Sequence, residues 1–516
     1  MLSRALGRSD FIAFLCYGRG VIFCLTYQDC LDIIAHMRTK TPLQEKTPFA
    51  IDGKPMEGLL TAQAGLACFS RAFRSLGAPK LCDDHVRIKE RSRGFTVGQQ
   101  VESLVLLHTA GGDCMQDIEQ LRKDSGVTKL LGYAAPGERC VADFLESFHD
   151  PEKVAQARAQ AQRQEHLSFI PEETAALSGL GQAARGIVRA IAGRSRKPET
   201  RATVDQDATI IESHKREARW TYEGTRGYQP MVAVWAETGL IVADEFRDGN
   251  VPAMSSPLTC AQAAFAALPE SVTQYYFRGD SACHESGLVN WLRDADREWG
   301  PKGLIGFAVS ARMSEELGKA LKAHPEAQWT TFGKDADGTL RQWAEADFVP
   351  GEKVEKKDIE PLRYVGLRLL KPQGELFADG NDKHYHAIVT NRWDEDGGEL
   401  LTWHREKAGT IEHVHDEVKN GLGGGQLPSA KFGANAAWFR IACIAYNILV
   451  AVRQAWPDET LHNAKAKRVR FILVNVTGRF SRDRRKITLH LSATVEWIKR
   501  LVKLFARFPL ATQPTG

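Results

Sequence analysis

The chain has 516 residues, room for about three domains, and its 43% hydrophobic and 26% charged content is that of a globular protein with sizeable cores. That balance excludes a broadly disordered chain, and a net charge of only +4 means that a nucleic-acid reading must rest on where the charges lie. None of the ten cysteines forms a CxxC pair, which argues against zinc ribbons and thioredoxin-type sites and for reduced thiols in a cytoplasmic protein.

Near the N-terminus, Phe11–Tyr17 and Val21–Leu25 are apolar but divided by Gly18-Arg19-Gly20. Neither run approaches the roughly 20 apolar residues of a membrane span, so they read as buried helix or strand. Residues 58–192 read as mostly helical. Thr96–Leu107 places Val97, Val101, Leu104 and Leu107 near one face, and Asp113–Asp124 repeats that spacing with Ile118 and Leu121. Gly193–Pro198 is a basic linker, after which the pattern changes. Strands are predicted over Ala202–Ile211, Gln229–Trp235, Leu240–Phe246, Ser271–Arg278 and Gly303–Ser310, with a helix over Gly287–Arg297. Strands that run together and then alternate with helices predict a mixed α/β sheet. Residues 313–398 carry strand-like runs at Gln328–Phe332, Leu362–Leu370 and His384–Thr390, which predict a β-rich insertion. Asn435–Val452 predicts a buried helix, its Asn435, Arg440 and Asn447 arguing against a membrane helix. The expected organisation is therefore 1–195 mostly helical, 200–312 first part of the core, 313–398 insertion, 399–455 second part of the core, and 456–516 basic.

Three stretches each offer an acid to a shared site: Asp207 in VDQDATIIES, Asp280 in YYFRGDSACH and Glu412 in GTIEHVHDEVKN. A carboxylate in an apolar strand is costly unless it is paired, hydrogen-bonded or metal-bound, and Asp207 lies in such a strand. Asp205, two residues earlier, shares its sheet face and is the rival ligand. Asp280 follows an aromatic strand directly, at an open strand end; its alternative is a turn or helix cap. Glu412 and Lys419, seven residues apart, share one helix face, and the rival acids there are Asp416 and Glu417. His413 and His415 are only two apart, so on a helix they diverge and make no zinc pair. Three carboxylates gathered by a fold form a hard-oxygen site for two Mg²⁺ or Mn²⁺ ions, suited to phosphodiester displacement. The segment Lys465–Lys486 holds nine basic residues and one acid, with Arg482, Arg484, Arg485 and Lys486 nearly contiguous; basic residues flanking an apolar strand, as here, are what a DNA-backbone surface requires. No GxxxxGK[ST] loop or GxSxG elbow is present.

Together, QDIEQLR (Gln116–Arg122), VDQDAT, FRGDSA, IEHVHDEVKNG and FGANAAWFRIACIAYNIL (Phe432–Leu449) resemble transposases of the IS1380 family, within the IS4-like DDE group. The resemblance covers roughly residues 50–500. It implies an α/β fold with an RNase H-like catalytic core, a β-rich insertion and an N-terminal helical region that binds DNA. Asp207, Asp280 and Glu412 are implied as the metal-binding acidic triad. The implied activity is cut-and-paste transposition on double-stranded DNA, at the element's inverted repeats and at target DNA, by a homodimer with no membrane association. The group's tyrosine–arginine pair upstream of the glutamate is missing: Arg405 and Ala408 stand there, so Arg405 or Lys407 is expected to bind phosphate beside Lys419. The alternatives are an RNase H-fold nuclease without strand transfer and a non-catalytic DNA-binding descendant of a transposase.

Overall fold

The computed structural model describes residues 13–17, 21–25, 58–88, 94–163, 168–195, 197–348, 361–372, 383–484 and 486–510. Two units divide the chain at Glu57. The first contains an antiparallel pair, β1 (Ala13–Tyr17) and β2 (Val21–Leu25), so the two apolar runs are strands.

The second unit opens with β3 (Leu59–Thr61) and eight helices: α1 (Leu66–Ser75), α2 (Ala78–His85), α3 (Val97–Ala110), α4 (Ile118–Lys123), α5 (Ser125–Leu131), α6 (Glu138–Glu146), α7 (Pro151–Arg163) and α8 (Ala175–Ala192). The start of α3 is written locally. Thr96 Oγ1 accepts the N–H of Gln99 while the Gln99 side chain accepts the N–H of Thr96, a reciprocal capping box. The β3 strand, absent from the sequence expectation, pairs far along the chain with the strand Gly478–Asp483.

The central sheet follows: β4 (Arg201–Ala208), the small strands β5 (Ile211–Glu212), β6 (Arg219–Trp220) and β7 (Arg226–Tyr228), then β8 (Met231–Trp235) and β9 (Leu240–Glu245). Helix α9 (Pro257–Ala267) leads to β10 (Gln274–Gly279), and α10 (Ser286–Arg293) to β11 (Ile305–Ser310). Five strands stand in the order β9-β8-β4-β10-β11. Strands β4, β10 and β11 are parallel to one another, and β8 runs antiparallel to both β4 and β9, the arrangement expected of an RNase H-like core.

The stretch 313–398 carries α11 (Glu315–Ala323) and β12 (Thr330–Lys334), β13 (Leu340–Glu345), β14 (Arg363–Leu370) and β15 (Lys383–Thr390). These strands do not form a separate sheet. The strand β15 pairs with β11 and the rest follow antiparallel, so the insertion lengthens the core sheet to nine strands. Chain then returns as α12 (Gly397–Asp416), which runs into a π-helical turn at Glu417–Gly421, and α13 (Phe432–Ala455).

Among the described residues, α13 alone is long and apolar enough to cross a membrane, and its apolar window is wholly buried within the protein. Its polar residues have partners there. The Asn447 side chain accepts the Ile241 N–H and donates to the Ile241 carbonyl, closing the exposed edge of β9 as another strand would. Arg440 pairs with Asp244 and Glu173. One continuous apolar core joins the N-terminal helices, the sheet and α13.

At the C-terminal end, the apolar run within Lys465–Lys486, expected as a strand, is instead helical: α14 (Ala466–Val469) continues as a π turn through Val474. A short apolar run cannot by periodicity alone be told from a buried helix segment. The hairpin β16 (Gly478–Asp483) and β17 (Lys486–Leu491) and the helix α15 (Val495–Arg507) complete the chain.

Candidate active site

Side chains alternate along β4, so Gln206 faces α9, where its amide donates to the Pro257 carbonyl, while Asp205 and Asp207 face α12. The parallel register sets Arg278 of β10 opposite Asp205 and Gly279 opposite Gln206. Asp280 follows at the next position, beside Asp207. Two rungs result, two residues apart along the strands, at the carboxyl ends of two parallel strands, the usual position for a ligand site in an open α/β sheet.

The first rung is satisfied. Arg278 donates from Nε to Asp205 Oδ1 at 2.6 Å and from Nη2 to Asp205 Oδ2 at 2.9 Å. Its remaining nitrogen reaches the Trp403 carbonyl and Glu406, tying the pair to α12. Both side chains are buried, and burial pushes Asp205 above the usual carboxylate range although Arg278 opposes it. Asp205 is thus committed to a structural pair, and Asp207 is the aspartate of VDQDAT with an open side.

The second rung places like charges together. Asp280 is raised by burial and by the Asp207 carboxylate, against the pull of Lys407 and the backbone N–H groups of Ala282 and Cys283. Its side chain caps the short turn Ser281–Cys283 by accepting the Ala282 N–H at 3.1 Å. His404, on α12, contacts the Gly279 carbonyl at 2.9 Å and steadies the strand end before it. Lys407 Nζ donates to Asp207 Oδ2 at 2.7 Å. Burial opposes the Lys407 charge, but Asp207 and Asp280 hold its ammonium above the ordinary lysine range. The donor set suits a hard divalent cation: two carboxylates stand side by side and have already drawn in a positive charge.

Glu412, the third acid expected from sequence, is not brought against the other two. It lies exposed on the flank of α12 and makes no hydrogen bond or ion pair among the described residues. Among those residues, the one trio of candidate ligand atoms within 4.8 Å of one another is Asp113, Cys114 and Asp117. There Asp117 Oδ2 accepts the N–H groups of Asp113 and Cys114, which accounts for the cluster as a turn.

The scan of this chain against family models matches transposase DDE domain group 1 over residues 50–513. The chain belongs to that family. No curated protein gives a significant match. Among solved structures, the chain is similar to the piggyBac transposase in a cryo-EM structure of its synaptic complex with hairpin DNA, at 10% identity, 80% coverage of each chain and a TM-score of 0.39.

The other residues expected at the site of this DDE transposase fall in different places. Lys419, expected to hold a phosphate, donates to Thr209 Oγ1 at 3.0 Å and to the Ile210 carbonyl at 2.8 Å, fastening the π turn to the end of β4. Lys407, also expected on phosphate, is committed to Asp207. Arg405 is exposed, and its charge adds to burial in holding the Arg341 guanidinium of β13 below the ordinary arginine range. His415, too close to His413 in sequence to form a zinc pair with it, has a different setting. Its Nε2 is buried without a hydrogen-bond partner, and burial lowers the imidazole to about 4 against the pull of Asp207. The spacing Lys407–Ile411–His415, four residues each, is the helical signal that could have placed both on the inner stripe of α12. Arg482 and Lys486 lie exposed on the β16–β17 hairpin and Arg484 at its turn, with φ of 48°; Arg485 lies outside the described residues.

Proposed function

We propose that this transposase excises and inserts its own element, binding double-stranded DNA at the element's inverted repeats and joining the ends to target DNA. The observation that carries this reading is the Asp207–Asp280 rung, two side-by-side carboxylates at the open end of an RNase H-like sheet. Asp207 and Asp280 hold the site, and Glu412 swings in from the flank of α12 as the third carboxylate. Asp207, Asp280 and Glu412 would hold two Mg²⁺ or Mn²⁺ ions, which would supply the charge for activating water and stabilising the leaving oxygen. Water attacks the phosphodiester at the element end and releases a 3′-OH, which then attacks target DNA at the same acids. Arg405 contacts phosphate, as does Lys419 once it leaves Thr209. The helical region up to residue 195 contributes to end binding. The working form is a homodimer on paired ends, cytoplasmic and associated with the nucleoid, and the ordered motifs support its reading as a member of the IS1380 branch of the IS4-like group.

The test is incubation of purified protein and Mg²⁺ with labelled DNA spanning an element end. Cleavage followed by joining to a second duplex is expected. Cleavage without joining would make the protein a nuclease, and binding without cleavage a DNA-binding descendant.

The basic hairpin gives a separate prediction. A cluster of adjacent cations suits a phosphate backbone better than base edges, so Arg482, Arg484, Arg485 and Lys486 hold DNA without reading it. Each contact removed is expected to flatten the slope of log affinity against log salt by about 0.9. Neutralising all four weakens specific and non-specific binding alike. An unchanged slope across a salt series would reduce the hairpin to a solvated surface.

A further inference from the structure

We propose that Lys407 is a built-in counter-cation of the Asp207–Asp280 rung, and that a divalent ion reaches these carboxylates by displacing its ammonium. This rests on the reading of the rung as the metal site. The Lys407 side chain is only 9% exposed and its one hydrogen bond among the described residues goes to Asp207, which is 23% exposed. Among the described residues neither Asp207 nor Asp280 has any other ion pair. One positive charge therefore faces two negative ones, and the rung remains one cation short.

The neighbouring rung shows what a permanent cation looks like in this fold. Arg278 holds Asp205 with two parallel bonds, reaches α12 with a further nitrogen and lies 5.2 Å from the centre of the Trp403 ring. A guanidinium so forked and stacked is fixed in place. Lys407 by contrast offers a single bond from a rotatable ammonium on a flexible four-carbon stem. A divalent ion matches the charge of both carboxylates, whereas the ammonium matches one. Lys407 thus keeps the empty site from flying apart by like-charge repulsion and sets a threshold that the ion must overcome. Once displaced, its ammonium is free for a DNA phosphate, the partner its place in the sequence suggested.

Mn²⁺ binding to the full-length protein, followed by calorimetry and by thermal shift, tests this. Lys407→Met keeps the stem and removes the charge; it is expected to bind Mn²⁺ roughly tenfold or more tightly than the wild type. It should also melt lower without the ion and be stabilised more by it. Asp207→Asn should lose Mn²⁺ binding in either background. Unchanged or weaker binding by Lys407→Met, with Asp207→Asn still inactive in binding, would make Lys407 a structural anchor and leave the metal-site reading standing. Absence of binding in both the wild type and Lys407→Met would overturn both. Acylation of Lys407 in the wild-type protein, quantified by mass spectrometry, needs no variant: labelling should become several-fold faster with saturating Mn²⁺, and an unchanged rate would overturn the proposal even if Lys407→Met does not fold.

Discussion

Asp207→Asn and Asp280→Asn are each expected to lower DNA strand cleavage by about a thousandfold or more while leaving binding to the element end nearly intact. Each substitution keeps the side chain's size and removes a charge from the second rung, and groups that act as a unit fail as a unit. The effect on the fold should be small. Asp207 keeps one acceptor oxygen as asparagine, and Asp280→Asn still accepts the Ala282 N–H that it caps. Glu412→Gln should fall with them if the flank carboxylate completes the site. Cleavage of labelled end DNA beside a mobility-shift assay on the same DNA separates chemistry from binding. Full activity in any one variant would remove that residue from the catalytic set.

Breaking the first rung should have a different signature. Arg278→Met leaves the Asp205 carboxylate buried without its partner, and truncating one side of a buried pair costs about 3–5 kcal/mol. Most of that cost resides with Asp205, because the other arm ends on Glu406, which is 63% exposed and therefore screened. Replacing both members by apolar groups, Asp205→Leu with Arg278→Met, should recover much of the loss, since no unpaired charge remains. Thermal melting of the two single variants and the double variant, without metal, measures this. Equal losses in Arg278→Met and in the double variant would mean that the arginine acts mainly through Trp403 and α12. Because Arg278 also fastens α12 over the second rung, Arg278→Met should reduce cleavage as well as stability, whereas the second-rung variants reduce cleavage alone.

The two aspartates of VDQDAT illustrate how far local reading extends. Period-2 alternation puts both on one sheet face, and nothing within the strand distinguishes them. Their partners do, and those are supplied by other elements: Arg278 lies 73 positions from Asp205, and Lys407 lies 200 positions from Asp207. The strand β13, LRQWAE, went unseen because its polar residues hide the pattern of a strand that is only half buried between two neighbours. The converse error occurred at Phe471–Val474, where apolar character suggested a strand and the chain is helical.

What the amino-acid order determined by itself was the set of local elements with clear periodicity and the ordered motifs that mark the DDE family. The strands around Asp207 and Asp280, the capping box at Thr96 and the buried helix Phe432–Ala455 all follow from residue spacing and short-range hydrogen bonding. Tertiary structure alone decided the electrostatics of the site. It joined the insertion to the core sheet, closed the edge of β9 with Asn447, committed Asp205 to Arg278, seated Lys407 on Asp207, and left Glu412 on the flank of its helix. The physical reason is one of range: backbone geometry and side-chain periodicity are properties of neighbours in the chain, whereas the state of a buried charge depends on whichever groups the fold brings within a few ångströms.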